Sequence, residues 1–251
     1  EPQADRRLDQ SPVPGLTALG VTLAPQPLPA DAPLSVRMLW RADVQTRGAA
    51  GGSLRVTQYS ARDALGLEWA RHDELLAGTF LSERWQPEQI VMGQYTFTLP
   101  AGTPPGSYTL RQVVYRNDQN GTLDLGELVV TRPLRGPDPA SLGVNPAGVA
   151  RLGDLTLLSA GPDQRTVKPC DALNLTLLWR ADSSPAEDYA LRLTLAVSLT
   201  PYSLQASTDA LPPPETQNVE TQNIASLLAP GWPTSQWRAG DIWRTRHHLD
   251  I

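Results

Sequence analysis

"LLWRAD", residues 177–182, and "MLWRAD", residues 38–43, are near copies 139 positions apart, each closing an alternating apolar run. Upstream, Leu34, Val36, Met38 and Trp40 alternate with Ser35, Arg37, Leu39 and Arg41; downstream, Leu173, Leu175, Leu177 and Trp179 alternate with Asn174, Thr176, Leu178 and Arg180. A period of two is the signature of a strand, and it puts each Trp on one face with three aliphatic residues. That face is expected to be the buried one, with Trp40 and Trp179 as core residues. Asp31-Ala32-Pro33 and Pro169-Cys170-Asp171 read as the turns before these strands, and "LGVTL" (19–23) and "LGDLTLL" (152–158) as a shorter strand ahead of each.

The likeness extends beyond the motif. "SERWQPEQIVMGQYTFTL" (82–99) matches "TSQWRAGDIWRTRHHLDI" (234–251), with Trp85 opposite Trp237 and with Tyr95, Phe97 and Leu99 in phase with His247, Leu249 and Ile251. The spacing from Asp43 to Trp85 is 42 residues and that from Asp182 to Trp237 is 55, so the second copy carries about a dozen extra residues. They fall in "TDALPPPETQNVETQNIASLLAPGWPTS" (208–235), which reads as an extended surface loop with one helical turn over 223–228.

After its shared part the first copy continues as "PPGSYTLRQVVYRNDQNGTLDLGELVV" (104–130), a hairpin expected to turn at Asn120-Gly121. The second copy stops before that hairpin. The expected organisation is a flexible tail at 1–14, a first module at 15–133, a Pro/Gly-rich linker at 134–150 and a second module at 151–251 without its last hairpin. Many short strands with punctuated turns and no sustained helical period predict an all-β chain, a tandem of two immunoglobulin-like antiparallel β-sandwich domains. The open sheet edge beside the strand that ends at Ile251 is then expected to be covered, by downstream chain or by a partner's strand.

Composition narrows the chemistry. The net charge of −5 comes without a basic block, and Lys168 is the single lysine, so no nucleic-acid footprint is expected. No apolar stretch approaches the roughly 20 residues of a membrane helix, so membrane association is expected only through a partner or through segments outside this sequence. Cys170 is the one cysteine, which excludes an intrachain disulfide and a thiolate metal cage. The first residues, "EPQADRRLDQSPVPG", have no signal-peptide pattern and read as a mature or excised terminus.

"LTLLWRAD…EDYALRLTLAVSL", "GWPTSQWRAGDIW" and "LPAGTPPGSYTLRQVVY" resemble strand-and-turn signatures of the extracytoplasmic sandwich modules of bacterial phospholipid-carrier-dependent glycosyltransferase-type membrane proteins and related exported proteins. The resemblance covers roughly 15–133 and 151–251 and departs in the middle of the first copy, where "QTRGAAGGSL" stands against "SSPAEDYALRL". It implies an extracytoplasmic, cell-envelope accessory region. Its motifs are structural, so it transfers no catalytic residue.

Candidate chemistry is sparse, and no enzyme is expected. No Gly-rich phosphate loop, nucleophile elbow or His-Glu-x-x-His occurs. His247 and His248 are neighbours on a strand and point to opposite faces, which does not suit one metal, and His72 reads as a solvated loop residue. Asp118, Asn120 and Asp124 only loosely approach calcium-loop spacing, and Asp73-Glu74 and Glu187-Asp188 read as solvated pairs, so no metal or other cofactor is expected. The seven tryptophans carry the remaining signal. Trp69 is expected on a strand with its ring partly buried. Trp85 and Trp237 occupy matching junctions and read as plugs of the sandwich ends or, less simply, as sugar-stacking platforms. Trp232, between Gly231 and Pro233 and without a counterpart, is the leading candidate for an exposed contact. Two functions follow: a noncatalytic structural or interaction protein of the envelope, or a carbohydrate-binding accessory module using Trp232, Trp237 and Trp85.

Overall fold

The computed structural model describes residues 4–45, 48–60, 63–163, 166, 168, 172–193, 223–226 and 232–250. Over these the chain is all-β, with three short 3₁₀ turns besides its strands, and no helix is long and apolar enough to cross a membrane.

The N-terminal half holds β1 (Arg6–Val13), β2 (Leu16–Leu23), β3 (Leu28–Pro29), β4 (Pro33–Ala42), β5 (Gly51–Ser60), β6 (Asp63–Leu75), β7 (Ile90–Thr98), β8 (Gly106–Arg116) and β9 (Gln119–Thr131). One antiparallel sheet runs β1-β2-β4-β7, the other β3-β9-β8-β5-β6, with β3 alone parallel to its neighbour β9. A single cluster of buried apolar side chains joins the sheets, drawing Val36, Met38 and Trp40 from β4, Tyr95 from β7, Leu54 and Val56 from β5, and Tyr108, Leu110 and Val114 from β8. The period-two face of β4 is therefore the inner face.

The C-terminal half holds β10 (Ala150–Leu152), β11 (Leu155–Pro162), β12 (Ala172–Ala181), β13 (Ala190–Leu193), β14 (Asn223–Ser226) and β15 (Ile242–Asp250). Its sheet β10-β11-β12-β15 repeats β1-β2-β4-β7, and β13 and β14 form a separate antiparallel pair. The repetition reaches individual bonds. Leu16 faces Ala42 and Ala18 faces Trp40, just as Leu155 faces Ala181 and Leu157 faces Trp179. Both strand pairs then slip by one residue, so that Gly20 meets Leu39 and Ser159 meets Leu178. Thr17 donates to Asp43 at 2.7 Å and Thr156 to Asp182 at 2.6 Å, while Arg41 and Arg180 each donate through Nε to the same aspartates at 2.9 Å. The aspartate of each Trp-Arg-Ala-Asp thus ties the strand end to the preceding strand and to its own arginine, a job that needs a carboxylate with two acceptor oxygens. The Thr156 hydroxyl, followed by Arg180, holds the Asp182 carboxyl below the usual range against the opposing effect of burial.

Several expectations change. Residues 6–13, expected within a tail, form β1, whose Leu8 packs at the margin of the core. Glycines make room for it: a Cβ on Gly121 would lie 1.9 Å from the Pro12 carbonyl oxygen. The hairpin turns at Asn117-Asp118, with Arg116 opposite Gln119 and Asn117 at φ +52, so Asn120-Gly121 already lies in β9. Positive φ is tolerated by Asn, and Gly121 is spent on the close approach of β1 instead. Residues 223–226, expected as the start of a helical turn, form strand β14. Cys170 and most of 208–231 lie outside the described residues.

Candidate functional site

The tryptophans at the matching junctions are interior. Each follows a 3₁₀ turn, Ser82–Arg84 or Thr234–Gln236, and closes it with its own backbone N–H on Ser82 O at 3.2 Å or Thr234 O at 2.9 Å. The turn's first hydroxyl is buried and accepts a backbone N–H from the facing chain, Ala50 N at 2.7 Å in one half and Tyr189 N at 2.7 Å in the other. Trp85 is 0% exposed and donates Nε1 to Phe80 O at 3.0 Å; Trp237 is 2% exposed. Neither offers a ring face to a sugar, which removes both as stacking platforms and leaves them as plugs.

Trp232, expected as an exposed contact, is half-buried against the core of the second sheet, its ring edge on Trp243 with centroids 6.0 Å apart. Its face is covered by the Arg132 guanidinium, 4.8 Å from the ring centroid. Arg132, just past β9, also stands 5.6 Å from the Trp243 ring, bonds Asp241 at 2.6 Å and donates to the Gln236 carbonyl. Asp241 in turn accepts from Trp243 Nε1 at 3.2 Å and from Arg238 N at 2.8 Å. One cation over two indoles and against one carboxylate makes a strong, directional clamp between the halves, because a planar guanidinium stacks and hydrogen-bonds at once.

Two further contacts complete this junction. The turn at Ala101-Gly102 lies on β15: Arg244 N–H donates to Gly102 O at 2.7 Å and Arg244 Nε to Ala101 O at 2.7 Å. The Arg244 N–H lies on the edge of β15 away from β12, so part of the sheet edge expected to be open is occupied by the first half itself. The connecting segment is also ordered on both sides, with the Asp31 carboxylate accepting Leu134 N at 2.8 Å and Arg135 N at 3.0 Å, and Arg180 donating to Pro146 O at 2.6 Å. Composition marked this segment as a linker, but no sequence pattern signals that Asp31 and Arg180 grip it.

The remaining candidates are dispersed. His72, expected on a loop, lies on β6, stacked on Phe97 at 5.1 Å and 3.1 Å from Glu74. Trp69 is on β6 and fully enclosed, its ring edge-on to Tyr108 at 5.9 Å. His247 is buried on β15 with Nε2 2.9 Å from Thr245 Oγ1, which also accepts Trp179 Nε1 at 3.1 Å. Burial pushes the His247 imidazole down to about 4, so it is neutral at pH 7. Asp118 sits in the hairpin turn and Asp124 six residues along, roughly 20 Å at strand rise, too far to share a cation. Asp73 bonds Arg71 and Asp188 accepts Ser235 N at 2.9 Å. Among the described residues no cluster of three or more His, Cys, Asp and Glu is placed to hold a metal ion.

A further contact, without a signal in the strand periodicity, lies in β8. Tyr108 OH is buried and donates to Pro104 O at 2.6 Å, four residues back, and burial raises its pKa. The signal was present as Tyr at the start of a strand after "PPGS", but a hydroxyl's acceptor cannot be read from periodicity.

Compared with protein-family models and with curated proteins, the chain matches none.

Proposed function

We propose that the chain is a tandem of immunoglobulin-like sandwich modules acting as a noncatalytic structural and interaction element of the bacterial cell envelope, on the extracytoplasmic side. The strand order β2-β4-β7 facing β9-β8-β5-β6 and the Tyr108 bond to Pro104 O, which has the form of a tyrosine corner, support the immunoglobulin-like reading. The extracytoplasmic placement rests on the sequence resemblance.

The observation that carries the functional reading is the use made of the polar and aromatic side chains. Asp43, Asp182, Asp241, Arg132, Trp85 and Trp237 hold turns, strand ends and the junction together, and among the described residues no nucleophile, base and orienting group converge. In the N-terminal half β8 pairs with β5 through Gly51 and Tyr115, so by the repeat the place for a corresponding hairpin is the edge of β13. A partner's strand added there completes the second sandwich.

The test is a photo-reactive residue at Leu191 on β13 of the protein in its own cells, followed by fractionation. Cross-links on the extracytoplasmic side to one protein support the reading. A protein confined to the cytoplasm and without such cross-links contradicts it. Saturable glycan binding abolished by Trp232→Ala would replace it with the carbohydrate-binding reading.

A further inference from the structure

The repeat exposes a difference between the two sheets on their outer faces. In the C-terminal half, Leu158, Leu178 and Ile242 form a buried apolar cluster, 2–3% exposed, on the face turned away from Trp179. Leu142 and Val144 of the connecting segment pack on it. The Ala101-Gly102 turn completes the cover: a Cβ on Gly102 would stand 3.3 Å from Leu178 Cδ1 and 3.2 Å from Arg244 N, and its φ of +83 independently favours glycine.

By register the matching residues of the N-terminal half are Leu19, Leu39, Ile90 and Met92, the last standing where Arg244 stands in the second sheet. Leu39 pairs directly with Met92 and with Gly20, placing them in one row across β2, β4 and β7. Ile90 is 53% and Met92 50% exposed, whereas Ile242 is 2% exposed. The same strands in the same register thus bear an apolar face that is sealed in one half and, in the other, open at Ile90 and Met92 beside a half-buried Leu19 and a Leu39 that is 9% exposed. The chain ahead of β1 also passes the rim of the open face, since a Cβ on Gly20 would lie 2.5 Å from Ala4 Cβ.

We infer that the Leu19, Leu39, Ile90 and Met92 face is a docking surface for another sandwich module of this same kind, which seats there an aliphatic connecting segment and a glycine turn as residues 100–102 and 142–144 do on the second sheet. The occupant is fixed by that equivalence: two aliphatic side chains on a Pro/Gly-rich segment, and a turn that gives a carbonyl to the edge N–H of residue 92 as Gly102 gives one to Arg244. The junction within this chain is then one of a series, a head-to-tail contact that extends rather than closes. The inference rests on the two halves being repeated modules and is independent of any envelope partner.

The chain has two methionines, and they make the test direct: Met38 is fully buried and Met92 half-exposed. A chain in which residues 1–149 are placed directly ahead of Ser11 brings a second connecting segment to the first module as the native one enters β10. With methyl-labelled methionine and a soluble paramagnetic agent, both Met38 methyls report the folded cores. The expected result is that one of the two Met92 methyls becomes protected while the other stays open, and that Ile90→Asp in the receiving module reverses the protection. Both Met92 methyls open beside two protected Met38 methyls overturns the inference. If the extended chain does not fold, a synthetic peptide of residues 134–150 titrated onto the unmodified chain decides: a saturable Met92 shift absent from Ile90→Asp upholds the inference, and an unmoved Met92 methyl overturns it.

Discussion

Replacing His247 by phenylalanine is expected to remove a pH dependence that the second sheet imposes on the whole chain. The imidazole is enclosed on β15, its Nε2 on Thr245 Oγ1, and burial lowers its pKa to about 4, against an ordinary value of about 6.5. Between those values the unfolded chain binds a proton that the native chain refuses, so stability rises with pH across that window. The contribution is fully in place above about pH 6.5 and is lost as pH falls toward about 4, reaching a limit of about 3 kcal/mol. Between about pH 8 and about pH 5.5 the loss is about 1.4 kcal/mol. Urea unfolding followed by tryptophan emission measures it, because Trp179, Trp237 and Trp243 all lie in the same core. The wild type minus His247→Phe difference should change by about that amount over the interval, other groups cancelling. Parallel pH profiles for the two proteins would show that His247 is not buried neutral and would refute the assignment of β15's inner face.

Other outcomes follow from single contacts. Trp85→Ala and Trp237→Ala should each cost about 3–5 kcal/mol in chemical denaturation, because both rings are enclosed; a cost below about 1 kcal/mol would mean an exposed ring. Gly121→Ala forces backbone apart at Pro12 and is expected to free β1, seen as new proteolysis within 6–13 and a loss of about 1–3 kcal/mol. Arg132→Lys keeps the charge but loses the stacked fork over Trp232 and Trp243, so their emission should shift and the junction weaken by about 1–2 kcal/mol. Tyr108→Phe should cost about 1–3 kcal/mol by leaving the Pro104 carbonyl without its buried donor.

How much of this was legible follows from which forces leave a local trace. Period-two burial does, so the inner faces of β4 and β12 and the cores around Trp40 and Trp179 could be read directly. The repeat added information, since it put Trp85 and Trp237 at matching junctions, though the 3₁₀ turn ahead of each left no pattern of its own. β1 was hidden because "RRLDQSPV" is mostly polar and is held at a sheet edge by backbone pairing, with room left by Gly20 and Gly121. The hairpin turn was misplaced because an Asn-Gly pair serves turns and close approaches alike. The junction left no readable trace: Arg132 meets Asp241 across 109 residues, and no local pattern pairs the two. Trp232 looked exposed because its loop is polar and Pro-rich, while the cation that covers it comes from the other half.

In the second half β11-β12-β15 repeats the register of β2-β4-β7, and the 100–102 turn and Arg132 clamp the two halves together. Residue-resolved amide hydrogen exchange of the intact chain tests this most directly. Slow exchange is expected to match along β4 and β12, with protection of the edge amide of Arg244 that its counterpart at Met92 does not share. Fast exchange along β12, or equal exchange at residues 92 and 244, would contradict it.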